Sequence, residues 1–120
     1  MKILLVDDDE FVRTLLMTQL QEAGFDVVPE TNVADAIKTL EGQHFDLLIS
    51  DIIMPGKDGA ALMKYARETA ANMPILAITG GVENAKEDYV HYADFFADET
   101  MTKPIRKDAL IAVVEKLISG

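Results

Sequence analysis

The chain has 120 residues, no Cys and a formal net charge of −10, with 49% hydrophobic residues. This length suits one domain, residues 1–120, whose core needs no disulfide, and the lack of Cys excludes a thiolate metal site. The acidity argues against docking on nucleic-acid phosphate or anionic lipid, where each contact needs a Lys or Arg. The apolar start before Asp7 is too short for a signal peptide or a membrane span, so the expected setting is the cytoplasm.

Residues 2–6 (Lys-Ile-Leu-Leu-Val) form an apolar run of strand length. Asp7, Asp8, Asp9 and Glu10 follow, then Phe11, Leu15 and Leu16 at helical spacing, with Gly24 as a stop. Residues 25–28 are a short β-rich run. Asn32 is placed to cap a helix that shows Val33, Ala36, Ile37 and Leu40 before Gly42 ends it. Residues 46–51 read as a third strand, leading through Met54-Pro55-Gly56-Lys57-Asp58-Gly59 into a helix with Leu62, Tyr65 and Ala66 on one side. A fourth strand, residues 74–79, ends at Gly80-Gly81. The next helix is predicted from Glu83 into the low nineties, with Ala85, Tyr89 and Tyr92 inward. A brief strand over residues 100–102 precedes Lys103-Pro104, and Leu110, Val113, Val114 and Leu117 mark one face of the last helix. Strict alternation of strand and helix with short connections predicts a doubly wound, three-layer α/β fold with a parallel sheet between two helix layers.

In such sheets ligands bind beyond the carboxyl ends of the strands. That edge collects Asp7, Asp8 and Asp9 after the first strand, Asp51 after the third, Thr79 after the fourth and Lys103 after the fifth. Singly, each has a plain structural role: the acids cap a helix, Asp51 and Thr79 begin loops, and Lys103 is a surface charge. Jointly they form a set with chemistry. Carboxylates at close range either raise a pKa or demand a cation, and Mg2+, a hard ion that takes one or two carboxylates and keeps several waters, fits best. His44 and His91 have no second ligand at metal spacing and read as surface or helix residues. A carboxylate beside Mg2+ can attack phosphorus to form an acyl phosphate. Asp51 is the expected nucleophile, Asp8 the main metal carboxylate with Asp7 beside it, Thr79 a hydroxyl donor and Lys103 an ammonium to the phosphoryl group.

Leu-Leu-Val-Asp7-Asp8-Asp9-Glu10, Asp51-Ile-Ile-Met-Pro55-Gly-Lys-Asp-Gly59, Ile-Leu-Ala-Ile-Thr79-Gly and Lys103-Pro104, in this order, resemble the receiver domains of bacterial two-component response regulators. The resemblance covers the whole chain. It implies a flavodoxin-like five-stranded sheet in the order 2-1-3-4-5, and phosphotransfer to Asp51 from a sensor histidine kinase or histidine phosphotransfer protein. It further implies Mg2+ held by Asp8, Asp51 and the carbonyl of Ile53, and a cis peptide at Pro104. The protein would then be a signalling switch rather than an enzyme, read by a downstream protein on the face built from the fourth helix, fifth strand and fifth helix. Thr79, Gly80, Gly81 and Thr100 would carry the switch. Two departures stand out: Thr100 replaces the usual Tyr or Phe, leaving a recess that Phe95 or Phe96 could fill, and Phe96-Ala97 stands where a Gly-Ala pair is common.

The competing enzyme reading is a haloacid-dehalogenase-type phosphatase with Asp7 as nucleophile, since Asp7-Asp8-Asp9 also resembles its Asp-x-Asp. It leaves Asp51-Ile-Ile-Met-Pro-Gly without a role. A flavin-binding module of the same fold would present hydroxyls and amides to phosphate after the first strand, where this chain presents four acids.

Overall fold

The computed structural model describes residues 1–52, 59–80 and 95–120. Along these run β1 (Lys2–Val6), α1 (Glu10–Glu22), β2 (Asp26–Glu30), α2 (Val33–Gly42), β3 (Leu47–Asp51), α3 (Gly59–Thr69), β4 (Ile75–Thr79), β5 (Glu99–Thr102) and α4 (Lys107–Ser119). The strands are parallel in the order β2-β1-β3-β4-β5, the flavodoxin-like, doubly wound arrangement. The helix expected from Glu83 and the turn residues 53–58 lie outside the described residues, as do Ile53, Gly81 and His91.

Alternation along the central strands builds two cores. Ile3 and Leu5 of β1, Leu47 and Ile49 of β3, and Leu76 and Ile78 of β4 pack with Leu16 and Leu20 of α1 and Leu110 and Val114 of α4. The intervening Leu4, Val6, Leu48, Ile75 and Ala77 pack with Val33 and Ala36 of α2 and with Leu62, Met63 and Ala66 of α3. With apolar layers on both sides, the sheet can end in polar residues only where its strands leave the cores. At the carboxyl edge those residues are Asp7 and Asp51.

Local signals fix the helix ends. Asn32 Oδ1 accepts from the Asp35 amide at 2.8 Å and starts α2. Helix α1 closes through Ala23 and Gly24, whose φ of 96° lies in the left-handed region that a side chain disfavours.

Three expectations shift. The chain re-enters the sheet at Asp26 rather than at Phe25, because the Phe25 amide still bonds back to the Leu20 carbonyl at 3.1 Å. β2 then continues through Pro29, which is tolerated because β2 is an edge strand. In α1, Phe11 and Leu15 do not join Leu16 in the core; they are 75% and 42% exposed. Phe11 and Leu16 stand about 140° apart around a helix, so one stripe cannot hold both. The buried stripe is instead Leu16 and Leu20, flanked by Val12 and Met17.

Candidate functional site

The three consecutive acids after β1 take three different positions. Asp7 is buried at 1% exposure, and its Oδ1 accepts from the Asp9 amide at 2.9 Å. Asp9 caps α1, its Oδ1 accepting from the Val12 amide at 3.1 Å. Asp8, between them, is exposed at the rim. The helix-cap role therefore belongs to Asp9, and Asp7 and Asp8 are left for the edge of the sheet.

β3 lies beside β1 in register, Val6 opposite Ser50, so Asp51 emerges next to Asp7. Oxygens of Asp7, Asp8 and Asp51 lie within 4.8 Å of one another. Lys103, just beyond β5, reaches across the ends of the sheet, with Nζ 3.1 Å from Asp51 Oδ2 and 3.2 Å from Asp7 Oδ2. Its hydrogen bond goes to Asp51. Asp7 Oδ2 is buried, with the ammonium beside it. The Lys103–Pro104 peptide is cis.

Two carboxylates meet one ammonium, with a third carboxylate beside them, and the titration of Asp51 and Lys103 reflects this imbalance. Burial pushes the Asp51 carboxyl up from 3.8 to about 6; Lys103 opposes the rise, and Asp7 and Asp8 add to it. Burial alone would lower the Lys103 ammonium, yet Asp51 and then Asp7 hold it above its ordinary value. The cluster is short of positive charge.

A divalent cation would correct that deficit, and the donors suit Mg2+. All are carboxylate oxygens, their spread is close to the roughly 4 Å across an octahedral Mg2+ shell, and the exposed Asp8 leaves a side open for water. Asp7 Oδ2 is buried and, among the described residues, meets only the Lys103 ammonium that it shares with Asp51, so a cation or its water would add to its bonding.

Thr79 ends β4 on the same edge, and its carbonyl accepts from the Lys103 amide at 2.8 Å, coupling the two strand ends through the backbone. Gly80 is exposed, and a β-carbon there would meet nothing within 4 Å. Thr100 is exposed on β5. Phe95 is 82% exposed, and Phe96 packs against the α2 and α3 core.

Some residues that shape the site had no motif to announce them. Gly59 opens α3 directly against the end of β3, donating to the Ile52 carbonyl at 2.6 Å, and a β-carbon there would run into the Asp51 carbonyl oxygen. Gly59 is visible in the sequence as a turn residue, but its close approach to Asp51 is not. Arg13 donates from Nη1 to the Asp7 carbonyl at 2.9 Å, a contact with no signature beyond a basic residue one turn into a helix.

A family model for the response regulator receiver domain matches residues 3–115. The chain is 33% identical over 117 residues to the alkaline phosphatase synthesis transcriptional regulatory protein PhoP of Bacillus subtilis, covering 98% of this chain and 48% of PhoP. It is 35% identical over 114 residues to the transcription factor SKN7 of Candida albicans, covering 95% of this chain and 20% of SKN7. The chain thus spans about half or less of the length of these curated relatives. Among solved structures, the response regulator TrrA of Thermotoga maritima in complex with Mg2+ and BeF superposes with a TM-score of 0.85 at 31% identity, covering 97% of each chain. None of these matches supports the phosphatase reading with Asp7 as nucleophile.

Proposed function

Since the chain belongs to the response regulator receiver domain family, we propose that residues 1–120 act as one receiver domain whose Asp51 accepts a phosphoryl group. The donor is the phosphohistidine of a sensor histidine kinase or a histidine phosphotransfer protein. One observation carries the assignment to Asp51. It is the buried carboxylate that ends a central strand, paired with Lys103 at 3.1 Å and flanked by Asp7 and Asp8.

The chemistry follows from this placement. An Asp51 oxygen attacks phosphorus, the P–N bond to the imidazole breaks with the ring keeping the electron pair, and an acyl phosphate forms on Asp51. With its pKa near 6, Asp51 is mostly ionised at pH 7, and burial leaves it poorly hydrated. Lys103 faces the oxygens on which charge develops. Asp8 and Asp51, with Asp7 beside them, would hold Mg2+; the Ile53 carbonyl, proposed from the family resemblance, would complete the protein ligands. When bound, Mg2+ supplies positive charge to the phosphoryl oxygens.

Thr79 donates its hydroxyl to the phosphoryl group in this proposal. Because the Thr79 carbonyl already binds the Lys103 amide, a shift at the end of β4 reaches β5 through the backbone. Output is read by a downstream protein on the face formed by residues 83–94, β5 and α4, with Gly80 and Gly81 as the moving loop. Thr100 carries no ring to bury, so backbone movement dominates, and the two states differ only by what the phosphoryl group favours.

Mass spectrometry after incubation with acetyl phosphate and Mg2+ tests the assignment. One phosphoryl group is expected on the wild type and none on Asp51→Asn; single labelling that persists in the variant overturns it. Amide spectra with beryllofluoride test the output, with large shifts expected at Gly80, Gly81 and residues 83–103. Shifts confined to the Asp51 pocket would show that the face is not used.

A further inference from the structure

Asp8 is the exposed member of the acid cluster, and among the described residues no side chain holds its carboxylate by hydrogen bond or ion pair. Its oxygen nevertheless lies within 4.8 Å of oxygens from Asp7 and Asp51. The backbone must therefore aim it. On the preceding residue, the Asp7 amide donates to the Glu30 carbonyl at 3.2 Å and ties the chain to β2. On the following residue, the Asp9 amide is held by Asp7 Oδ1 and the Asp9 carbonyl accepts from the Arg13 amide at 2.9 Å. Between them, the carbonyl of the Asp7–Asp8 peptide accepts from Arg13 Nη1 at 2.9 Å in a half-buried setting.

We propose that Arg13 is a positioning residue for the metal site: its guanidinium fixes the Asp7–Asp8 peptide and so sets the direction in which Asp8 presents its carboxylate to a divalent cation. The proposal rests on the reading of Asp8 as a Mg2+ ligand. Arg13 is well placed for the task, because α1 begins at the Asp9 cap and carries the side chain back over the residues that precede the helix.

Charge and geometry predict opposite outcomes when Arg13 is replaced. Arg13→Gln removes a cation near the site, and by Coulomb's law alone Mg2+ should bind more tightly. If Arg13 aims Asp8, the same change loosens the ligand and binding weakens, by about tenfold as is usual for groups that orient metal ligands. Mg2+ titration by isothermal calorimetry, on the whole chain without phosphodonor, reads the sign directly. Arg13→Gln is expected to bind about tenfold more weakly, and Arg13→Lys, which can still donate to the carbonyl, to recover part of the loss. In an Asp8→Ala background, Arg13→Gln should have no further effect, since its target is gone. Unchanged or tighter Mg2+ binding by Arg13→Gln overturns the proposal, as does an equal loss in both backgrounds. If Asp8→Ala alone binds Mg2+ like the wild type, the ligand assignment falls and the proposal with it.

Discussion

The two ends of the sheet each hold an aspartate against a cation, and they are built to opposite standards. At the amino end, Arg67 meets Asp98 at 2.9 Å, one charge against one. Asp98 Oδ2 also accepts from the Ile75 amide, and Arg67 donates to the carbonyls of Ala71, Met73 and Phe96. This clamp ties the end of α3 to the starts of β4 and β5. At the carboxyl end, Lys103 meets Asp51 at 3.1 Å and Asp7 at 3.2 Å, one charge against two, and Asp8 adds a third carboxylate beside theirs. The balanced pair closes a structure. The unbalanced cluster is unfavourable as it stands and is relieved by a cation, which is what a site for Mg2+ and phosphoryl oxygens requires.

The largest expected effect is the pH dependence of the unbalanced end. Asp51 has an ordinary value of 3.8 when unfolded and is raised to about 6 when folded, so only well below pH 3.8 is it protonated in both states and without effect. As pH rises, the unfolded chain releases its proton first, and stability falls until the folded group has also ionised above pH 6. The loss is about 3 kcal/mol. Denaturation of the metal-free wild type across pH 4–7 should show it, and Asp51→Asn should remove that part of the profile. Mg2+, which competes with the proton, should stabilise more at pH 7 than at pH 5.

Breaking the balanced end should harm folding and spare the chemistry. Arg67→Ala strands the Phe96 and Met73 carbonyls and the Asp98 carboxylate, costing about 2 kcal/mol by denaturant titration. Its Mg2+ affinity should stay within about twofold of wild type, because the clamp shares no partner with the site. A larger change would mean that the two ends are coupled. Lys103→Ala should do the reverse. Without the ammonium, Asp51 should titrate above 6 by carboxyl NMR, and labelling by acetyl phosphate at pH 7 should slow on the order of tenfold. An unmoved titration would show that Lys103 is not the group restraining Asp51. The smallest effect belongs to Asp9→Ala, which removes a helix cap worth about 1 kcal/mol. Mg2+ affinity should be unchanged, and a marked loss would make Asp9 a ligand.

The acids and the hydroxyl were legible in the sequence because each follows an apolar run of strand length, the lysine because it follows a brief strand and precedes Pro104, and parallel topology sends all such ends to one edge. The layers were legible for the same reason, since runs such as Leu47-Leu48-Ile49 must be buried on both faces. What could not be read was which of Asp7, Asp8 and Asp9 is buried and which caps α1, because adjacent identical residues differ only in where the backbone turns them. Contacts from side chains to distant carbonyls were equally silent. Arg67 reaches Phe96 and Asp98 across 29 and 31 positions, and nothing local to either end marks the partnership. Phe11 and Leu15 misled for a different reason: apolar residues at helical spacing mark a helix, but Phe11 and Leu16 lie too far apart around it to share the buried stripe.

Pro29 has a consequence for how molecules of this protein meet one another. The Asp26 amide bonds to the Met1 carbonyl and the Glu30 carbonyl accepts from the Asp7 amide, so Asp26, Val28 and Glu30 turn their backbone groups toward β1. By alternation, Val27 and Pro29 face the open side. A foreign strand laid along β2 would find no N–H at Pro29 and a carboxylate at either end of the strand, from Asp26 and Glu30. This border of the sheet therefore resists being lengthened by a second chain.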